Sequence, residues 1–269
     1  MIRTRGVMAI LLAGALLPSC GCTPARDWGR VAAARHGQNW DVVLENEYLL
    51  ARYTPDDADG TVKDRITEFR LKSRDRSVAN ALDGRNATDN TAVFRVTKAG
   101  VERQDAERKT VRLAFDKRVE HVSILRYSPV LEIGYDQGGH NLDCGIAGTN
   151  YVFYGQDAWQ QLRGWDRKHP KFQDQYDPTG SYYRSEWGGP GPLACNGWMI
   201  MGVYDDAGYG AGMLLPAAAV KWIKLVGWGD RWGFERWTAG PHKAYLFPVS
   251  GGAVEILAIG KVLAETMPK

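Results

Sequence analysis

Between Trp40 and Ile259 the chain is written in short runs that alternate apolar with polar residues, each closed by turn-forming residues. WDVVLENEYLLARY (Trp40–Tyr53) holds two such runs split by Glu45-Asn46-Glu47. ITEFRLK (Ile66–Lys72), VANALD (Val78–Asp83), AVFRVTK (Ala92–Lys98), TVRLAFD (Thr110–Asp116), HVSILRY (His121–Tyr127) and VLEIGYD (Val130–Asp136) follow. A period of two sends one set of side chains to a covered face and the other outward, which only a strand does. TPDDADG and LDGRNATDN between them are turn chemistry. The late chain repeats the pattern. WMIMGVYDDAGYGAGMLLP (Trp198–Pro216) reads as a hairpin, and VKWIKLVGW (Val220–Trp228), KAYLFPV (Lys243–Val249) and VEILAI (Val254–Ile259) read as strands. Only ARDWGRVAAARH (Ala25–His36), DAWQQLRGW (Asp157–Trp165) and GKVLAETM (Gly260–Met267) look helical. The expectation is an all-β protein, a large antiparallel β-sandwich of two packed sheets, with residues 40–269 as one domain.

The first 22 residues stand apart. Arg3 and Arg5 precede an apolar run, Gly6–Leu17, of signal-peptide length and too short to span a bilayer. LPSC (Leu17–Cys20) resembles the lipobox of bacterial lipoproteins, with Pro18 as a departure. Export is expected, to the periplasm, to an outer-membrane anchor through a lipidated Cys20, or to the medium. Residues 23–39 read as a linker or short helix. The net charge of +3 includes Arg3 and Arg5, so the remainder is near neutral and its charges alternate in sign, which argues against a nucleic-acid partner. Cys144 and Cys195 are the cysteines of the folded part. In an oxidising compartment they read as a disulfide, or else as two separate buried thiols. No metal motif and no cofactor signature stands out.

VVLENEYLLARYTP followed by ITEFRLKSRDRSVANALDG resembles the opening of galactose mutarotase-like (aldose epimerase-like) β-supersandwich proteins. GWMIMGVYDDAGYGAGMLLP and HKAYLFPVSGGAVEILAIG are similar to the closing half of that fold. The resemblance implies a concave sheet face that binds a mono- or polysaccharide, and a histidine and a carboxylate that open and close a pyranose ring. His140 matches the first histidine by order. His169 and His242 compete for the second, and Glu255 is the nearest match to the carboxylate base.

The residues themselves point the same way. Gly138-Gly139 allow a sharp turn before His140, whose imidazole suits proton transfer near neutrality. Asp136 or Asp143 would orient it and Asn141 would bind a hydroxyl; alternatively His140 is a turn residue bonded to local backbone. Eight of the ten tryptophans fall between Trp159 and Trp237, so ring-stacking surface is concentrated in the second half. Trp159, Trp165, Tyr182 and Trp187, interleaved with Arg184 and Glu186, form an aromatic and polar set fit for sugar rings. They serve equally as the mini-core of a long loop. In SYYRSEW (Ser181–Trp187), Tyr183 and Arg184 with His140 would suit β-elimination of a uronic-acid polysaccharide. Glu132 and Glu186 would make a glycosidase pair at the right separation. A non-catalytic saccharide-binding lipoprotein is the third reading.

Overall fold

The computed structural model describes residues 28–36, 39–53, 68–73, 96–115, 118–142, 150–156, 158–163, 196–228 and 231–267. Their architecture is an all-β sandwich. One layer is a four-stranded sheet, in spatial order β1 (Gly29–His36), β2 (Asn39–Asn46), β3 (Leu49–Tyr53), β4 (Glu68–Leu71). The other has nine strands. Its chain-order members are β5 (Val96–Gln104), β6 (Arg108–Phe115), β7 (Val119–Leu125), β8 (Leu131–Tyr135), β10 (Asn150–Gln156), β11 (Ala158–Arg163), β12 (Trp198–Tyr204), β13 (Gly210–Pro216) and β16 (His242–Val249). Across the sheet they run β11-β10-β12-β13-β16-β8-β7-β6-β5. A three-stranded sheet joins β14 (Val220–Trp228), β15 (Arg231–Thr238) and β9 (Gly139–Leu142).

Alternation decides which face is covered. Val42, Leu44, Leu49, Ala51 and Phe69 of the smaller sheet meet Val111, Leu113, Val122, Ile124, Leu131 and Ile133 of the larger one, all buried in one core. β12 is buried along its whole length, because its second face is covered too. That cover is α1 (Gly252–Thr266), whose Ala253, Ile256, Leu263 and Ala264 pack on Ile200, Leu214, Tyr245 and Phe247.

Three segments depart from the sequence reading. ARDWGRVAAARH is not a helix: Gly29–His36 is β1, paired residue for residue with β2. Its Val31 and Ala33 pack on the core, and the Trp28 indole donates to the Asp105 carbonyl at 3.1 Å, so tertiary pairing overrides the helix preference of an alanine run. In DAWQQLRGW, Ala158–Arg163 is β11, an edge strand on β10. VEILAI is helix rather than strand. Read on to Thr266, the buried positions 253, 256, 260, 263 and 264 follow a helical period. The carboxylate of Glu255 accepts from the backbone N–H groups of Ser250 and Gly251, closing the helix start.

The helix sits tightly on the sheet where side chains are missing. A Cβ on Gly212 would lie 2.3 Å from the Phe247 ring, and one on Gly260 would lie 2.5 Å from Ile200. Gly212→Ala is therefore expected to destabilise the protein by about 1–3 kcal/mol. Urea denaturation would show it as a lower midpoint at unchanged slope.

Candidate functional site

Because α1 contacts β10, β12, β13 and β16, it leaves the same face of the sheet open over β5 to β8. The outward residues there are polar. Register lines up Thr110, Ser123, Glu132 and Tyr245 in one row across β6, β7, β8 and β16, and Arg112, His121, Gly134 and Lys243 in the next. Thr110, Ser123 and Glu132 of the first row and His121, Gly134 and Lys243 of the second line a cleft of about 1060 Å³, which Trp198, Pro216 and Ala218 line as well.

Two charged constellations occupy it. Glu132, nearly buried, is gripped by the Arg108 guanidinium through two parallel bonds of 2.7 and 3.1 Å, and Lys243 Nζ lies 3.1 Å from the same carboxylate. Beside it the Thr110 and Ser123 hydroxyls bond each other at 2.9 Å. One row further, His121 stands between two acids: Nδ1 is 2.6 Å from Glu102 and Nε2 is 3.0 Å from Asp136. Ionised carboxylates only accept, so the full pair of bonds needs the ring protonated on both nitrogens. A register shift between Val101 and Arg103 makes Glu102 the extra residue of a β-bulge, which places an acid next to His121. At the mouth, His242 stacks on Tyr135 with centroids 4.7 Å apart, and its Nδ1–H donates to the Gly240 carbonyl at 3.2 Å.

Burial, and then the charge of Glu132, push the Tyr245 phenol up to about 12. The folded state thus holds this proton more tightly than the unfolded chain. Its stabilisation is complete below pH 10 and is lost as pH rises toward 12. Over that window wild type is expected to lose about 1 kcal/mol per pH unit more than Tyr245→Phe. Denaturation midpoints at pH 9, 10 and 11 check it.

The sequence candidates are scattered relative to this cleft. His140 and Asn141 lie in β9, opposite Trp237 and Arg236 of the three-stranded sheet, not in the nine-stranded one. Trp159 is on the edge strand β11, opposite Tyr154. Glu255 caps α1, and it is not among the residues lining the cleft. Asp136 does orient a histidine, and that histidine is His121. Trp165, Tyr182, Tyr183, Arg184, Glu186, Trp187, Cys144, Cys195, His169 and the leader with Cys20 lie outside the described residues. Sequence reasoning missed His121, Gly134 and Lys243 as a site. Their signal is the placement of His121 and Ser123, and of Glu132 and Gly134, at alternate positions of two neighbouring strands. Among the described residues, no group of three or more His, Cys, Asp or Glu is placed to hold a metal ion.

No family model matches the chain, and no curated protein does. Among solved structures it is similar to a "putative aldose 1-epimerase" from Klebsiella pneumoniae, with 8% identity over 90% of this chain and 88% of that one, at a TM-score of 0.46. It is also similar to an alpha-N-acetylgalactosaminidase from Bifidobacterium bifidum, ligand-free and in complex with GalNAc, with 8% identity over 87% of this chain and TM-scores of 0.43 and 0.44. The chain spans 37% of the length of that second protein. At this level of identity neither likeness speaks to chemistry.

Proposed function

We propose that the protein binds a saccharide in the cleft over β6, β7, β8 and β16, and that His121 is its acid–base group. One observation carries this reading: an imidazole bracketed by Glu102 and Asp136, on an open sheet face that also presents Arg108, Glu132, Lys243 and the Thr110–Ser123 hydroxyls. A sugar needs donors and acceptors for its hydroxyls, and this floor supplies both. Opening and closing a pyranose ring needs one proton taken from the anomeric hydroxyl and one given to the ring oxygen. A histidine with two carboxylates in reach can exchange protons at both of its nitrogens. The reading as β-elimination of a uronic-acid glycan rests on Tyr183 and Arg184, which lie outside the described residues. Export and acylation of Cys20 remain proposals from the leader.

The test is a glycan array with the mature protein, followed by NMR anomer-exchange measurements on D-glucose and D-galactose. Binding is expected, with exchange slowed about 100-fold by His121→Asn. No glycan bound at all would sink the saccharide reading, and an unchanged exchange rate in His121→Asn would remove His121 from the chemistry.

A further inference from the structure

One row of the sheet passes under the cleft with a gap in its middle. Register sets His121 of β7, Gly134 of β8 and Lys243 of β16 side by side, and all three line the cleft. Neighbouring strands are about 4.8 Å apart, so the two outer residues stand about 10 Å apart at the backbone. Gly134 puts no side chain between them. Both flanking groups are reachable: the His121 side chain is 31% exposed and that of Lys243 is 48% exposed. The row thus carries an imidazole, a bare strip of backbone and an ammonium, in that order. The ammonium is held in place. Glu132 is its diagonal neighbour on β8, and Lys243 Nζ lies 3.1 Å from Oε1 of that carboxylate. The two bonds from Arg108 of β6 fix the carboxylate in turn. Arg108 therefore sets Glu132, and Glu132 sets Lys243. An ammonium carries three protons, and Glu132 is the partner of Lys243 among the described residues, so donors remain for a ligand.

We propose that Lys243 is a second substrate-binding residue, which donates to a sugar oxygen across Gly134 from His121, and that Glu132 and Arg108 are positioning residues for its ammonium. This inference rests on the saccharide reading above. It adds how the ring lies: across β8, with its anomeric end at His121 and a hydroxyl of its far edge at Lys243. It also separates the acids of the cleft by task. Glu102 and Asp136 bracket the imidazole and belong to proton transfer. Glu132, 5% exposed, has its oxygens engaged by Arg108 and Lys243, and its task is to hold the ammonium rather than to move a proton. Gly134 is the counterpart of this arrangement, because a side chain there would fill the space that the ring needs.

The experiment reads affinity and turnover separately, on the full mature chain, by NMR anomer exchange over a range of D-galactose and D-glucose concentrations. Lys243→Met keeps the stem of the side chain and removes the ammonium. Its KM is expected to rise about tenfold, with kcat held within about twofold, because the lost contact is made equally in the ground and transition states. In His121→Asn the split is reversed, with kcat falling and KM held. Lys243→Arg is expected to recover part of the affinity, since a cation returns to the same edge. Glu132→Gln is expected to raise KM like Lys243→Met and to leave the pH profile of kcat as in wild type. Should Glu132→Gln fold poorly, Lys243→Met decides, because it removes only a half-exposed ion pair of small worth to the fold. An unchanged KM in Lys243→Met would overturn the proposal and leave the saccharide reading standing, as would a fall in kcat alone. A shifted pH profile in a well-folded Glu132→Gln would overturn the task given to Glu132. If wild type binds an arrayed glycan without exchanging anomers, the same variants are read by affinity for that glycan, and an unchanged affinity in Lys243→Met overturns the proposal. No glycan bound by wild type would overturn both readings.

Discussion

Asn46→Ala is expected to cost about 4 kcal/mol of folding stability, well above the loss that most point substitutions cause. Asn46 is 2% exposed and sits in the turn between β2 and β3. Its Oδ1 accepts from the backbone N–H groups of Tyr48 and Leu49, at 2.8 and 2.7 Å. Its Nδ2 donates to the Leu125 and Ser128 carbonyls, at 2.7 and 2.8 Å, in the turn between β7 and β8. One amide therefore shapes a turn of the four-stranded sheet and pins it to a turn of the nine-stranded sheet. Alanine takes a partner from two carbonyls and two amides, one of these bonds buried and three part-buried, at about 1 kcal/mol for each. Against a total stability of about 5–15 kcal/mol, that is a large share. Asn46→Asp separates the two roles. It keeps the acceptor for Tyr48 and Leu49 but aims an anion at two carbonyls, so it is expected to be at least as damaging. Guanidinium denaturation reads both. A loss under about 1 kcal/mol in Asn46→Ala would show that the two sheets are held together without this link.

Gly134→Val is expected to leave stability unchanged or slightly raised and to weaken saccharide binding by about 100-fold or more. Gly134 lies mid-strand in β8, between His121 of β7 and Lys243 of β16. A Cβ there meets only the His121 Cβ at 3.5 Å and its carbonyl oxygen at 3.6 Å, both ordinary contacts. The backbone does not demand glycine, and a β-branched residue suits a strand better. What glycine provides is an uncovered stretch of floor, the kind of position where a ligand comes close to the backbone. Valine would stand in that space and exclude a ring lying across the strands. Loss of about 3 kcal/mol of binding, with the melting temperature held, separates this effect from misfolding.

Much of the fold is legible because alternation is a local signal. The runs at Trp40–Tyr53, Thr110–Asp116, His121–Tyr127, Val130–Asp136 and Trp198–Pro216 all contain strands of the two main sheets. The misreadings have two causes. The Ala-rich run in Gly29–His36 and the segment Ala158–Arg163 have no strong preference of their own, and pairing with β2 and β10 decides them. VEILAI is an apolar run of six residues with one charge, too short a window to reveal the helical period of the fifteen-residue α1. The site is harder to read. His140 stands out through its glycine turn, whereas the cleft is a property of register. Thr110, Ser123, Glu132 and Tyr245 become neighbours only when four strands align, and no single stretch of sequence states that alignment. Glu132 can be named as a carboxylate of interest, but its grip by Arg108, 24 residues away, and by Lys243 cannot. Asn46 reads as a turn residue, while its bonds to Leu125 and Ser128 span 79 and 82 residues.

The central claim is the place where the sugar sits. It is tested most directly by backbone and indole chemical-shift mapping of the mature protein titrated with a glycan that binds. The expected result is a contiguous set of shifts on the cleft floor at Ser123, Glu132, Gly134 and Lys243, with His121 and the Trp198 indole among the largest, and no set of comparable size on β1 to β4 or the outer side of α1. Shifts confined to those other surfaces, with the cleft floor silent, would contradict it.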